Sequence, residues 1–123
     1  YNCATCHVGE NLGGQSYELM GIKADYFADR NTEITFEDHG RNKETKTERD
    51  MHRFKVPGLR NIALTAPYFH DGTKQTLEEA VRDMAKYEVG VNLSEEETAR
   101  LVAFLHTLTG EYKGKLLTND NLK

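Results

Sequence analysis

The chain has 123 residues, a formal net charge of −4, 37% hydrophobic residues and two cysteines. That is enough for one small domain and too little for two. No apolar run approaches the about 18–20 residues that a bilayer-spanning helix needs, two cysteines make at most one bridge, and a net negative chain with no basic block is a poor nucleic-acid binder. Position 1 is Tyr1, with no initiator Met, basic n-region or apolar h-region, so the chain reads as a processed product or a fragment.

Residues 1–27 hold the cysteine motif, a turn region from Gly9 to Gly14, and a stretch containing Tyr17, Met20, Tyr26 and Phe27. A short helix is expected within Ser16 to Phe27. Residues 28–53 change character, with 13 of 26 positions Asp, Glu, Lys or Arg. They read as a long exposed loop. Residues 54–72, FKVPGLRNIALTAPYFHDG, are apolar with punctuation. Pro57 and Pro67 forbid a regular helix through them, and Asp71-Gly72 marks a turn. This segment is expected to wrap as extended chain and short turns around something large and apolar.

Two helices follow. Thr76 and Glu79 have capping-box spacing and open a helix through about Lys86. Ser94 and Glu97 repeat it, with Glu95 and Glu96 favouring the dipole. The second helix carries an apolar stripe at Leu101, Phe104, Leu105 and Leu108 and is expected to end at Gly110. No segment shows sustained period-two alternation. The expected fold is mainly α with much irregular chain, over 1–110, followed by a weakly packed polar tail at 111–123.

Cys3-Ala4-Thr5-Cys6-His7 is C-x-x-C-H, the pattern of covalent haem c attachment. One helical turn places two sulfurs to bond the vinyl-derived carbons of a porphyrin, and the histidine then faces the iron. A thioredoxin-like site needs a strand before C-x-x-C, and only two residues precede Cys3 here. A zinc site would need a second ligand pair such as H-x-x-x-H, which is missing. A plain disulfide carries similarly low weight. The haem reading also answers a core problem, because Leu, Ile, Val and Phe make up only 26 residues, close to the border of about 20% below which chains tend to disorder.

The opposite face of the iron needs a second ligand, and methionine is the usual partner in electron transfer. Met84, after the wrapping segment and on a helix, is the first choice. Met20 is close in sequence to His7, and Met51 sits in the charged loop; both remain open at this point, as do a histidine or an open site. Arg60 is the first choice to pair a haem propionate, since a planar guanidinium suits a carboxylate. His70 follows an apolar run, and a hydrogen-bonded interior position is at least as good a reading for it as an approach to the haem. His39, His52 and His106 are expected to be solvated.

The pieces CATCHVGENLGGQSYELMG at 3–21, DHGR at 38–41, FKVPGLRNIALTAPYFHDGTKQTLEEAVRDM at 54–84 and LSEEETARLVAFLHTLTG at 93–110 together resemble the C-terminal, electron-transferring half of the bacterial di-haem cytochrome c peroxidases. The resemblance implies a cytochrome c-like domain wrapped around one covalent haem c, with His7 and Met84 axial to a high-potential iron. It implies a periplasmic enzyme that reduces hydrogen peroxide to water. Electrons would come from a small cytochrome c or a cupredoxin and pass to a peroxidatic haem in an N-terminal domain that the present sequence lacks. It further implies a calcium ion bound by the backbone carbonyls of Thr65 and Pro67, a place for His70 near the domain interface, and a homodimer of the full protein. The related oxidases that modify methylamine dehydrogenase carry Tyr in place of the Met ligand, and Met84 argues against that branch. A free-standing mono-haem electron carrier, needing only C-x-x-C-H and Met84, is the alternative.

Overall fold

A computed structural model describes residues 1–122. The chain opens with a 3-10 turn at Asn2–Thr5 and then a loop. Strand β1 (Tyr17–Leu19) and helices α1 (Tyr26–Arg30) and α2 (Asn42–Thr45) follow, then strand β2 (Arg53–Lys55). After a 3-10 turn at Ile62–Leu64 come α3 (Leu77–Met84), a π-helix at Ala85–Val89, α4 (Glu95–His106), and a hairpin of β3 (Glu111–Tyr112) and β4 (Lys115–Leu116).

Both capping boxes form as the sequence predicts. The Glu79 amide donates to Thr76 Oγ1 at 3.2 Å and the Thr76 amide to Glu79 Oε2 at 3.2 Å. In α4 the Glu97 amide donates to Ser94 Oγ at 3.1 Å, and the Ser94 amide to Glu97 Oε2 at 2.9 Å. These bonds occupy amides that a helix start would otherwise leave without partners. The two helices pack through Leu77, Ala80, Val102 and Tyr68, with Ile62, Phe69 and Leu105 against them. A second cluster joins Tyr26, Phe27 and Tyr87, backed by Met20, Phe54 and Phe69. The Tyr26 ring meets Phe27, Phe69 and Tyr87 edge-on, with centroids 5.3, 5.8 and 5.3 Å away, the arrangement favoured by the ring quadrupole. Phe69 belongs to both clusters and joins them.

The structure corrects the helix expected within Ser16 to Phe27 and the end of the last helix, and adds two short strand pairings. The stretch after Ser16 forms a strand, and its helix starts only at Tyr26, where the Asp25 carboxylate accepts the Ala28 amide at 2.9 Å. β1 pairs antiparallel with β2 in the register Tyr17↔Lys55, Glu18↔Phe54, Leu19↔Arg53; three-residue strands are too short to show alternation. α4 stops at His106, and Gly110 instead donates its amide to Asn61 Oδ1 at 2.7 Å while the Asn61 amide reaches Leu108 O at 3.0 Å. Tertiary bonds from the wrapping segment thus take the chain out of the helix before its glycine. The tail at 111–116 is a hairpin, turning through Lys113 and Gly114 at φ 51° and 74°.

The charged stretch 28–53 is the largest departure. Most of it is exposed, yet Asp38 and Asp50 are buried and short helical turns punctuate it. The wrapping segment behaves as expected, being turns and short extended pieces. It clasps the loop that follows the cysteine motif. The Gly14 amide reaches Val56 O at 2.7 Å, the Leu59 amide Asn11 O at 3.0 Å and the Val56 amide Ser16 O at 2.9 Å. Gly13 is required here, because a Cβ would lie 2.0 Å from Pro57 O, at a φ of +147° that side chains rarely adopt.

Candidate functional site

The 3-10 turn at the start brings the motif into one group. The amides of Cys6 and His7 both reach Cys3 O, at 3.2 and 3.0 Å. Cys3 is exposed and Cys6 half-buried, and both are free thiols. His7 Nδ1 lies 3.0 Å from Leu12 O. A carbonyl can only accept, so Nδ1 carries the proton and Nε2 presents its lone pair. This is the tautomer a metal-bound histidine needs, with its orientation fixed by a backbone partner. The donor set, two thiols and one oriented imidazole, fits a thioether-bound haem and leaves the C-x-x-C-H reading chemically intact.

Met84 ends α3 and is half-buried. Burial pushes the Cys6 thiol up, and the charges of Glu18 and Glu88 add to this. Glu88 lies four residues beyond Met84, in the π-helix that follows α3. Met20 packs against the Tyr26–Phe27–Tyr87 cluster, where its flexible thioether fills a gap. Met51 is half-buried, with its amide closing a 3-10 turn onto Glu48 O.

His70 takes the interior reading. Its side chain is 15% exposed, Nε2 lies 2.7 Å from Asp38 Oδ1, and its ring stacks on Phe54 at 4.1 Å. Arg30 completes the group. Its Nη1 donates to Asp38 Oδ1 at 2.8 Å and Asp71 Oδ2 at 3.0 Å, and its Nη2 to Asp38 Oδ2 at 2.6 Å. The Tyr26 hydroxyl donates to the same Asp71 oxygen at 2.6 Å. Asp38, His70 and Asp71 have metal-ligating spacing, but the guanidinium between the two carboxylates is already the cation. Bonds to Arg30 hold the Asp38 carboxyl far below the usual carboxylate range against the opposing effect of burial. Burial and the bond to Asp71 raise the Tyr26 phenol.

Sequence reasoning singled out only His70 of this group. Arg30 and Asp38 lie in the stretch taken for an exposed loop. The one local signal was the Thr35-x-x-Asp38 spacing, a capping box that does form. His52 also departs from the solvated expectation: its Nδ1 donates to Asp38 O at 2.7 Å, and its ring sits 4.4 Å from Phe27. His39 is half-buried against Phe36, and His106 is exposed.

Arg60 is exposed and makes no ion pair among the described residues. Thr65 and Pro67 are exposed beyond the 3-10 turn at Ile62–Leu64, and neither carbonyl accepts a hydrogen bond among the described residues. An open cleft of about 1020 Å³ lies apart from the motif, lined by Met20, Ile22, Phe27, Ile34 and His52 among others.

No family model matches the chain. It is 54% identical over 110 residues to the cytochrome c peroxidase Ccp of Escherichia coli, covering 89% of this chain and 23% of that protein. It is 44% identical over 109 residues to the cytochrome c551 peroxidase of Nitrosomonas europaea, covering 89% of this chain and 31% of that one. Among solved structures, a MauG-like protein associated with microbial copper homeostasis matches with a TM-score of 0.72 and 31% identity, over 89% of this chain and 40% of its own. The chain therefore spans about a quarter to a third of the peroxidases it matches. Fold and site define a small, mostly helical and irregular domain with a C-x-x-C-H turn near its start. Within that class, the chain matches the C-terminal part of proteins named cytochrome c peroxidases.

Proposed function

We propose that this chain is the electron-transfer haem c domain of a periplasmic di-haem cytochrome c peroxidase. In that role it receives electrons from a small cytochrome c or a cupredoxin and hands them to a peroxidatic haem domain, where hydrogen peroxide is reduced to water. The observation that carries the reading is the His7 geometry. Within a C-x-x-C-H turn, the Leu12 carbonyl takes the Nδ1 proton and leaves Nε2 available to iron. Identities of 41–54% to named peroxidases support it.

In this reading Cys3 and Cys6 would hold the haem covalently, and His7 and Met84 would be its iron ligands. Arg60, exposed and without an ion pair among the described residues, is offered to a propionate. Bound haem c supplies one-electron chemistry at its iron, with a potential set by ligand choice and burial. With His7 and Met84 both held to the iron, this domain would offer peroxide no open site and would serve to pass electrons. The Thr65 and Pro67 carbonyls are suited to a calcium ion, a hard cation that takes oxygen ligands. His70, anchored to Asp38, holds the turn before α3 from within the domain.

The test is spectroscopic. Protein matured with haem should show a c-type spectrum, one haem per chain, and a sulfur-to-iron band in the oxidised state that disappears in Met84→Ala. The whole gene product should turn over peroxide and lose electron entry in the same variant. A purified chain without covalent haem would overturn the proposal. A haem-bearing chain that is the entire mature protein and has no peroxidase partner would favour the free-standing carrier.

A further inference from the structure

The turn that follows Met84 is tied to a loop distant in sequence. The Glu88 carboxylate accepts the Gly21 amide at 2.5 Å. Alongside, the Lys23 amide donates to Tyr87 O at 2.8 Å. Gly21 has φ +92°, and a Cβ there would lie 2.7 Å from Ala24 O, so the loop is held in a conformation that presents its amides. The π-helix at Ala85–Val89 is closed at its far end by the amides of Gly90 and Val91, both on Ala85 O at 2.8 and 3.0 Å. Single π-turns within helices often occur at functional sites. Glu88 is the one side chain that makes the tie between this turn and the 21–23 loop among the described residues. It is half-buried, and its charge, with that of Glu18 on β1, is felt at Cys6.

We propose that Glu88 is a positioning residue for Met84. Its carboxylate, which accepts the Gly21 amide, fixes the turn that follows the methionine and sets a negative charge near the cysteine motif. The proposal rests on the reading of His7 and Met84 as iron ligands. Two separable consequences follow. The bond keeps the Met84 backbone from shifting along the helix, so the sulfur is delivered to one place. The charge favours the more positive, oxidised iron and so lowers its potential.

Two variants separate these effects in the haem-loaded protein at mildly alkaline pH. Glu88→Gln keeps an oxygen to accept an amide but removes the charge. Its midpoint potential should rise while the sulfur-to-iron band stays at wild-type intensity. Glu88→Ala removes the bond as well, and its band should weaken while cyanide binds the oxidised protein more readily. Wild-type potential in Glu88→Gln together with a wild-type band in Glu88→Ala would overturn the proposal. Should Glu88→Ala fail to fold, the potential of Glu88→Gln decides alone. A wild-type protein that carries no haem, or shows no sulfur band, would instead overturn the ligand assignment beneath it.

Discussion

Asp38 shows how much one side chain can hold. It is 1% exposed, takes both guanidinium nitrogens of Arg30, and accepts from His70. It thereby joins the charged 28–53 stretch to the turn before α3. Removing one partner of a buried pair leaves the other charge stranded, although Arg30 keeps Asp71 here. Asp38→Ala should therefore cost about 3 kcal/mol, the low end for a broken buried pair, read as a lower urea midpoint at unchanged slope. The pH dependence has a definite sign. The folded carboxyl titrates below its ordinary value of 3.8, so its stabilisation is complete above that pH and drains away as pH falls below it. Acid unfolding of Asp38→Asn should be correspondingly less steep, and an unchanged profile would remove Asp38 from the account. The sequence pointed to a hydrogen-bonded His70 but not to its partners, because Arg30, Asp38 and His70 lie on separate turns and a charge that pairs across loops leaves no periodicity. Cys3, Cys6 and His7 were legible because their chemistry needs adjacency. Gly13 lies between these cases: a glycine in a turn is visible, but its contact with Pro57 O is not. Gly13→Ala should destabilise by more than about 1 kcal/mol and lower the yield of haem-loaded protein.

At the scale of elements, legibility followed length and local chemistry. Both capping boxes form, since each needs only two side chains three residues apart. Thr76→Ala and Ser94→Ala should each cost about 1 kcal/mol, measured by thermal unfolding. They differ in consequence. Thr76 starts the helix that ends at Met84, so its loss should also weaken the sulfur-to-iron band, whereas Ser94→Ala should leave that band intact. Strands β1 and β2 were invisible because three residues cannot display alternation. Their pairing is imposed by the clasp between Gly14–Ser16 and Val56. The end of α4 was misplaced for the same reason: Asn61, 49 positions before Gly110, reaches its amide and stops the helix. The π-turn after Met84 had no signal in composition, because its register is set by the 21–23 loop that Glu88 grips.

Across the whole molecule, the side chains alone make a modest interior. The buried apolar residues are Tyr26, Phe27, Val56, Tyr68, Leu77, Ala80, Ala85, Tyr87 and Val102, two of them alanines. Seven of these form two small clusters joined through Phe69, and Val56 and Ala85 lie outside both. Neither cluster includes Cys3, Cys6, His7 or Met84, so the N-terminal motif is secured to the remainder chiefly by backbone bonds from the 8–16 loop to the 54–59 segment. A porphyrin held there would add apolar area at about 25 cal/mol per Å² removed from water and would tie the motif to the helix of Met84. Thioether bonds would keep the porphyrin on the unfolded chain, but its burial and its bond to Met84 would exist only in the fold and so would stabilise it. The double variant Cys3→Ser, Cys6→Ser should therefore lose far more than any cap. One cap's loss of about 1 kcal/mol corresponds to about 3–6 °C in Tm for a domain of this size, and the double variant should fall well beyond that. The loss should start at the motif, with amides of residues 2–14 losing hydrogen-exchange protection while those of α3 and α4 keep part of theirs. A double variant with wild-type Tm and wild-type protection of residues 2–14 would show that the clasp holds the motif unaided and that the porphyrin is a passenger in the fold.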